Sequence, residues 1–200
     1  MRYKIKTKTV MEKILVIDNY DSFTYNLVHY IENITGIYPD VARNDMISVE
    51  EAGSYDKILL SPGPGVPEEA GICTDLIRQH GRKKSILGIC LGHQAIGQAY
   101  GGSLLNLTHV YHGVSTVVRI TDHKEQLFTG IPPVISAGRY HSWIVMKDGL
   151  PDCLKITCED DNGMIMGISH THYDVKGLQF HPESVLTEHG LAIIRNWIER

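Results

Sequence analysis

Short runs of β-branched and other apolar residues alternate with segments of helical period along most of the chain. This alternation predicts an α/β domain with a mostly parallel central sheet and helices on both faces. The predicted parallel strands span residues 13–18, 38–43, 57–61 and 85–90. Later apolar runs are separated by short turn sequences such as Asp-Asp-Asn-Gly at 160–163, which is the spacing of hairpins. We therefore expect antiparallel strands at residues 115–120, 154–159, 164–169 and 175–180.

Four segments have the period of helices, at residues 22–33, 69–80, 91–100 and 188–199. In the first, Asp21 or Ser22 is the expected N-cap, and the helix should end before Gly36. The last is expected to turn Leu191, Ile194 and Ile198 inward. The apolar stripe of the first helix consists of Phe23, Leu27, Tyr30, Ile31 and Ile34.

The composition narrows the class of protein. The chain has 200 residues, of which 42% are apolar, and this suffices for one buried core. A formal net charge of −4 argues against a nucleic-acid binder. Apolar runs are far shorter than the ~18 to 20 residues of a membrane helix, so no membrane partner is expected.

Residues 1–10 are basic and differ in character from the rest of the chain. They lack the apolar centre of a secretory signal, so a reducing cytoplasm is the expected location. We interpret them as an N-terminal extension to a single domain at residues 11–200. Met11 could equally be a second start or the middle of a strand.

Four cysteines are too few and too irregularly spaced for a disulfide framework, and no CxxC pair indicates zinc. Three of them, Cys73, Cys153 and Cys158, are expected to be small apolar fillers. Cys90 differs, because it stands between Gly88 and Gly92 where a predicted strand runs into a predicted helix.

The G-x-C-x-G sequence around Cys90 is typical of a nucleophile elbow, whose sharp turn needs small neighbours and exposes the central side chain. A thiol at a helix N-terminus also lies in a field that favours the reactive thiolate. The alternative is a tight turn that simply buries a cysteine.

A histidine and a carboxylate two residues apart follow another predicted strand. His181 could exchange a proton with Cys90, and Glu183 could hold the second ring nitrogen of the imidazole. The His-x-Glu pattern is weak evidence alone, but its pairing with an elbow cysteine strengthens it.

A Pro/Gly-rich loop, Ser-Pro-Gly-Pro-Gly at residues 61–65, follows the third predicted strand. Such a loop can hold backbone N–H groups outward, and with the N–H of Leu91 it is a candidate oxyanion site. Phosphate binding is the competing interpretation, although the loop matches neither a Walker motif nor a Gly-x-Gly-x-x-Gly fingerprint.

Together these three motifs resemble the class I (triad) glutamine amidotransferases. Two further segments, Asp-Asn-Tyr-Asp-Ser-Phe-Thr-Tyr-Asn-Leu at 18–27 and Arg-Tyr-His-Ser at 139–142, resemble component II of anthranilate synthase and the glutaminase subunit of aminodeoxychorismate (p-aminobenzoate) synthase. The resemblance runs from about residue 13 to the C-terminus and does not cover residues 1–10.

The resemblance implies a flavodoxin-like amidotransferase fold with a small antiparallel sheet. It implies hydrolysis of L-glutamine by a Cys90-His181-Glu183 triad, with no metal and no cofactor. The ammonia would pass to a chorismate-using synthase subunit, component I, and the segment 18–27 is either part of that interface or ordinary packing. The implied glutamine contacts are Gly63, Pro64, Gly65, Leu91, Gln94, Ser142 and Trp143.

One residue departs from the family pattern. Relatives usually carry lysine after the His-Gly that matches residues 112–113, whereas this chain has Val114, which puts partner contacts in question more than hydrolysis. Two other functions stay open: a glutaminase or thiol hydrolase serving a different acceptor, and a binding subunit without catalysis.

Overall fold

The computed structural model describes residues 12–200. The predicted extension at residues 1–10 lies outside the described residues, and the domain boundary at residue 11 stays a prediction. The strands are β1 (Ile14–Asp18), β2 (Asp40–Arg43), β3 (Lys57–Leu60), β4 (Ser85–Ile89), β5 (Leu104–Asn106), β6 (Val114–Ile120), β7 (Val134–Arg139), β8 (Trp143–Val145), β9 (Leu154–Asp160), β10 (Ile165–His170) and β11 (Val175–Leu178). The α-helices are α1 (Thr24–Thr35), α2 (Val49–Ala52), α3 (Cys73–His80), α4 (Leu91–Ala99) and α5 (Gly190–Ile198).

Nine strands form one sheet in the order β2-β1-β3-β4-β11-β10-β9-β6-β7. The first five run parallel, in the flavodoxin-like order. The other four pair antiparallel and continue the same sheet. A separate two-stranded antiparallel sheet joins β5 to β8. The predicted α/β class is confirmed, with the difference that most of the antiparallel strands extend the central sheet. The strand expected at residues 175–180 pairs antiparallel with β10, as predicted, but it also runs parallel to β4, which the spacing of hairpins does not reveal.

Successive residues of the parallel strands point to opposite faces, and helices cover both faces. Val16 of β1 lies in a core with residues of α1 and α5. Its neighbours Leu15 and Ile17 lie in a second core with residues of α3 and α4. All four residues of β3 are buried, as expected for a strand covered on both sides. The carboxyl ends of β1, β3, β4 and β11 therefore meet at one edge of a rigid sheet.

The prediction of one helix over residues 69–80 is wrong in its first part. Pro67–Glu69 forms a single 3-10 turn, and α3 begins at Cys73. Between them, Gly71 has φ of +53°, and a side chain there would collide with the backbone carbonyl of Asn44. This close approach is a tertiary constraint that helical period does not reveal.

Smaller differences concern the ends of helices and the short elements. Phe23 is the N-cap residue of α1, and Asp21 instead accepts a hydrogen bond from the Phe23 N–H at 2.7 Å. Gly36, left-handed, ends that helix as expected. Leu191 is only partly buried, whereas Ile194 and Ile198 reach the core. The apolar pattern does not predict α2, β5, β7 or β8.

Trp197 of α5 fills the core beneath the parallel strands. Its side chain is 1% exposed, and its indole N–H donates to the Ser85 hydroxyl at 3.0 Å. Trp197→Ala removes that volume, so we expect the free energy of unfolding to fall by about 3 to 5 kcal/mol in denaturant titration. Met46→Ala, at an exposed position, serves as the control and should change it by less than about 0.5 kcal/mol. Equal effects of the two substitutions would contradict this assignment.

Candidate active site

Cys90 occupies the junction between β4 and α4 in a strained backbone conformation. Its φ of 51° and ψ of −99° lie outside the regions that non-glycine residues favour. A Cβ at Gly88 would collide with the backbone of Gly92, and one at Gly92 with the carbonyl of Leu60. The two glycines thus allow the strand and the helix to approach closely enough for this turn. The sulfur is placed at the helix N-terminus and at the carboxyl end of the sheet.

His181 and Glu183 follow β11, the parallel neighbour of β4. His181 Nδ1 lies 2.7 Å from Glu183 Oε1, and both side chains are almost fully buried. His181 Nε2 makes no hydrogen bond to the described residues. The carboxylate therefore holds one ring nitrogen of His181, and the other nitrogen is available to exchange a proton.

The environment of His181 favours its charged form. Burial by itself lowers the pKa of this imidazole, but the proximity of Cys90 and then of Glu183 raises it, and the net shift is upward. The structure thus brings Cys90, His181 and Glu183 into one cluster.

Two aromatic rings cover the imidazole. Phe23 lies 5.7 Å and Tyr140 4.8 Å from the His181 ring, centroid to centroid, each edge-on. The Tyr140 hydroxyl and the Ser184 hydroxyl are 3.1 Å apart. Cys90 is only 5% exposed, so the site is nearly closed in this structure. No motif in the sequence assigns either ring to the site.

Asn19 fixes the Pro/Gly-rich loop to the end of β1. Its backbone N–H donates to the Ser61 hydroxyl at 2.9 Å, and its side-chain amide donates to the Ser61 carbonyl at 2.8 Å. A Cβ at Gly63 would collide with Asn19 and with the Leu91 side chain. The loop therefore packs against the first residue of α4, whose N–H has no partner within the helix. Pro64, Gly65 and Leu91 also line one cleft of about 270 Å³.

Gln94 and Trp143, two of the glutamine contacts that the resemblance implies, lie against each other. Gln94 Nε2 donates to the backbone carbonyl of Trp143 at 2.9 Å. The neighbouring carbonyl, of Ser142, accepts instead from the Leu107 N–H at 2.7 Å. A larger cavity, of about 450 Å³, lies elsewhere and is lined by none of the predicted site residues.

Gln179 belongs to the site, although no motif in the sequence points to it. It is fully buried, and its Nε2 lies 3.6 Å from the Cys90 sulfur. The only sequence signal is its place two residues before His181, which puts both side chains on the same side of an extended chain.

The described residues contain neither a helix able to span a bilayer nor a cluster of three or more His, Cys, Asp or Glu arranged to hold a metal ion.

Among the described residues, all four cysteines are free. Cys73 and Cys158 are buried, and burial raises the pKa of the Cys73 thiol to about 12. Both thiols are buried as predicted, although the Cys73 sulfur also donates to Asn19 Oδ1 at 3.3 Å, and Cys153 is only partly buried.

Three proteins similar to this chain have names that fit the family its motifs resemble. The chain is 45% identical over 195 residues to the bifunctional protein TrpGD of Thermotoga maritima, covering 94% of this chain but only 32% of that longer protein. It is 45% identical to anthranilate synthase component 2 of Azospirillum brasilense, over 92% of this chain and 94% of the relative. It is 43% identical to aminodeoxychorismate synthase component 2 of Escherichia coli, over 94% of this chain and 100% of the relative.

A solved structure from Thermoplasma acidophilum, described as that of a putative GMP synthase subunit, superposes with a TM-score of 0.83. It is 30% identical and covers 94% of this chain and 93% of that one. The family model described as glutamine amidotransferase class-I matches residues 15–200. The chain therefore belongs to the class-I glutamine amidotransferase family.

Proposed function

We propose that the chain is a glutaminase subunit that hydrolyses L-glutamine to glutamate and ammonia. The observation that carries this proposal is the strained turn at Cys90 beside a buried His181-Glu183 pair. The carboxylate fixes the imidazole with Nε2 towards the nucleophile, which is the arrangement that activates a thiol for attack on an amide carbon.

In the first half of the reaction, the Cys90 thiolate adds to the side-chain amide carbon of glutamine. The carbonyl oxygen takes up negative charge, and the N–H of Leu91 with those of the loop at Gly63 to Gly65 would stabilise it. His181, protonated, gives its proton to the departing nitrogen, and the C–N bond breaks. Ammonia leaves, and a γ-glutamyl thioester remains on the sulfur.

In the second half, His181 is neutral and takes a proton from water. The hydroxide adds to the thioester carbon, the C–S bond breaks, and glutamate departs with the sulfur again a thiolate. Glu183 stays ionised and stabilises the imidazolium that forms at each stage. The raised pKa of His181 agrees with this role, because the charged imidazole is the proton donor in the first half.

For the acceptor of the ammonia, we propose a chorismate-using component I, with anthranilate as product. The relatives named above carry two names, anthranilate synthase and aminodeoxychorismate synthase, at 45% and 43% identity. The name aminodeoxychorismate synthase supports an alternative, in which the chain is the equivalent subunit of that enzyme. A subunit shared by the two synthases is a further form of this alternative. We place the reaction in the cytoplasm, since free cysteines suit a reducing compartment.

We further propose that segment 18–27 forms part of the surface that meets component I. Its Phe23 covers His181, and its Tyr25 is 50% exposed on α1. Tyr20 is also half exposed, but it is already held by Asp45 and lies over Arg43. Val185, directly after the triad segment, is fully exposed, and Val114 is 41% exposed at the start of β6. Exposed apolar side chains beside a site that must release ammonia suit a docked partner.

Replacing the nucleophile should separate the two nitrogen sources. In complex with component I, Cys90→Ser should abolish aromatic amine formation from glutamine, because serine lacks the reactive thiolate. Formation from added ammonia should be unchanged. Cys153→Ser, at a partly exposed free cysteine, is the control and should retain both activities. Glutamine-dependent product from Cys90→Ser would refute the assignment of the nucleophile.

Removing the charge behind the imidazole should slow turnover without unfolding the chain. Glu183→Gln deprives His181 of its ionised partner, so we expect kcat for glutamine to fall about 10²-fold or more. The measurement is steady-state glutamate release, with circular dichroism to check the fold. An unchanged kcat would exclude Glu183 from the mechanism.

The interface proposal can be tested with two matched tyrosines. Tyr25→Lys should weaken binding to component I by about tenfold or more, because buried interface tyrosines often contribute that much. Tyr38→Lys is the control, since Tyr38 is equally exposed but precedes β2 at the opposite end of the parallel strands. Titration by calorimetry gives both values. Equal affinity of Tyr25→Lys and the wild type would contradict the proposed interface.

A further inference from the structure

We propose that Gln179 is a positioning residue that holds an N–H donor against the Cys90 sulfur. Its orientation is fixed by the Trp143 carbonyl through Gln94, and that carbonyl also accepts from His141, which a buried ion pair holds in place. The proposal rests on the role of Cys90 in the proposed function and goes beyond the triad. It assigns a task to Gln179, to His141 and to the Arg139-Asp160 pair.

The Gln179 amide bridges two residues of the site. Its Nε2 lies 3.6 Å from the Cys90 sulfur, and its Oε1 lies 3.3 Å from Gln94 Nε2. An amide turned by 180° would fit the same space but would present oxygen to the sulfur. An N–H group stabilises a thiolate, whereas a carbonyl oxygen repels it, so the orientation determines the effect on the nucleophile.

The orientation follows from the next contact in the series. Gln94 lies 2.9 Å from the backbone carbonyl of Trp143, which can only accept a hydrogen bond. Gln94 must therefore present its Nε2 there. The same Nε2 faces Gln179, so Gln179 must present its oxygen to Gln94 and its Nε2 to Cys90.

A second donor holds the Trp143 carbonyl in place. His141 Nδ1 lies 3.0 Å from this oxygen, and His141 Nε2 lies 3.1 Å from Arg139 Nε. Arginine can only donate, so His141 Nε2 must be the acceptor and Nδ1 must carry the proton. This fixes the tautomer of His141 and occupies both of its ring nitrogens, which removes it as a competing base.

The series starts at a buried ion pair. Arg139 Nη1 donates to Asp160 Oδ2 at 2.6 Å, and both side chains are at most 2% exposed. The Arg139 guanidinium also lies 3.6 Å from the centre of the Tyr111 ring. Arg139 is thus held on two sides. Each contact between Asp160 and the sulfur therefore has one assigned donor and one assigned acceptor. Arg139 and Gln94 donate on both sides, and the Trp143 carbonyl accepts on both sides.

Few charges surround the Cys90-His181 pair. His93 and His141 are both buried, and burial lowers the pKa of His93 to about 4 and, with the charge of Arg139, that of His141 to about 3. Both are neutral near pH 7. Glu183 faces His181 from the far side. A titration of Cys90 reactivity therefore reports on the Cys90-His181 pair and on the groups that contact it.

The test is the rate at which iodoacetamide alkylates Cys90 across pH, followed by mass spectrometry of the Cys90 peptide. Gln179→Met keeps the volume and loses the donor, so we expect the midpoint of the rate profile to rise by about one pH unit. This corresponds to about a tenfold lower rate below the midpoint. Gln179→Glu adds a negative oxygen and should raise the midpoint further. Gln126→Glu, with the same charge change at an exposed position, is the control and should match the wild type.

A second measurement uses the wild-type chain, so it does not depend on how the variants fold. The side-chain amide protons of Gln179, observed by NMR, should shift with the same midpoint as the alkylation rate. Unmoved midpoints in folded variants, or an amide signal that stays flat through the midpoint, would overturn the proposal. Neither measurement uses glutamine or component I. Loss of the proposed glutaminase activity would therefore be seen separately, as a chain that does not consume glutamine.

Discussion

The backbone conformation of Cys90 is the constraint on which the site depends. A non-glycine residue at positive φ costs of order 1 to 3 kcal/mol, and the surrounding fold must maintain it. Here β4 and α4 approach so closely at Gly88 and Gly92 that no larger residue fits. The strain places the sulfur at a helix N-terminus and beside β11, after which His181 follows. A turn without this strain would move the sulfur away from both the helix N-terminus and His181.

The two halves of the sheet contribute differently to this site. The parallel strands position the proposed nucleophile and the imidazole, and Asn19 at the end of β1 fixes the loop that we propose to contribute N–H groups. The antiparallel strands supply support, because Arg139 ends β7 and Asp160 ends β9. Arg139 of this ion pair donates to His141, which in turn donates to the Trp143 carbonyl. The antiparallel extension of the sheet thus contributes contacts to residues that border the site.

Local signals suffice for β1 to β4, for α1 and α4, and for the elbow, because period, caps and glycine spacing are set by neighbours in sequence. They do not show that β11 also runs parallel to β4. Local signals fail where contacts with residues that are distant in sequence determine the local structure. Gly71 interrupts the predicted third helix because Asn44 lies against it. The strand β7 contains Ser, Ala and Gly, and its burial comes from pairing with β6. Gln179 is two residues from His181 in sequence, but its proposed role depends on contacts with Gln94 and Cys90 that only the folded structure shows.

Capture of the nucleophile by a reactive substrate analogue tests the account most directly. A chloroketone analogue of glutamine, with the amide replaced by the electrophilic group, is incubated with the chain and the digest is analysed by mass spectrometry. We predict one covalent adduct, on the peptide that carries Cys90, and protection by excess glutamine. An adduct on Cys73, Cys153 or Cys158, or a chain that stays unlabelled while it still hydrolyses glutamine, would contradict the account.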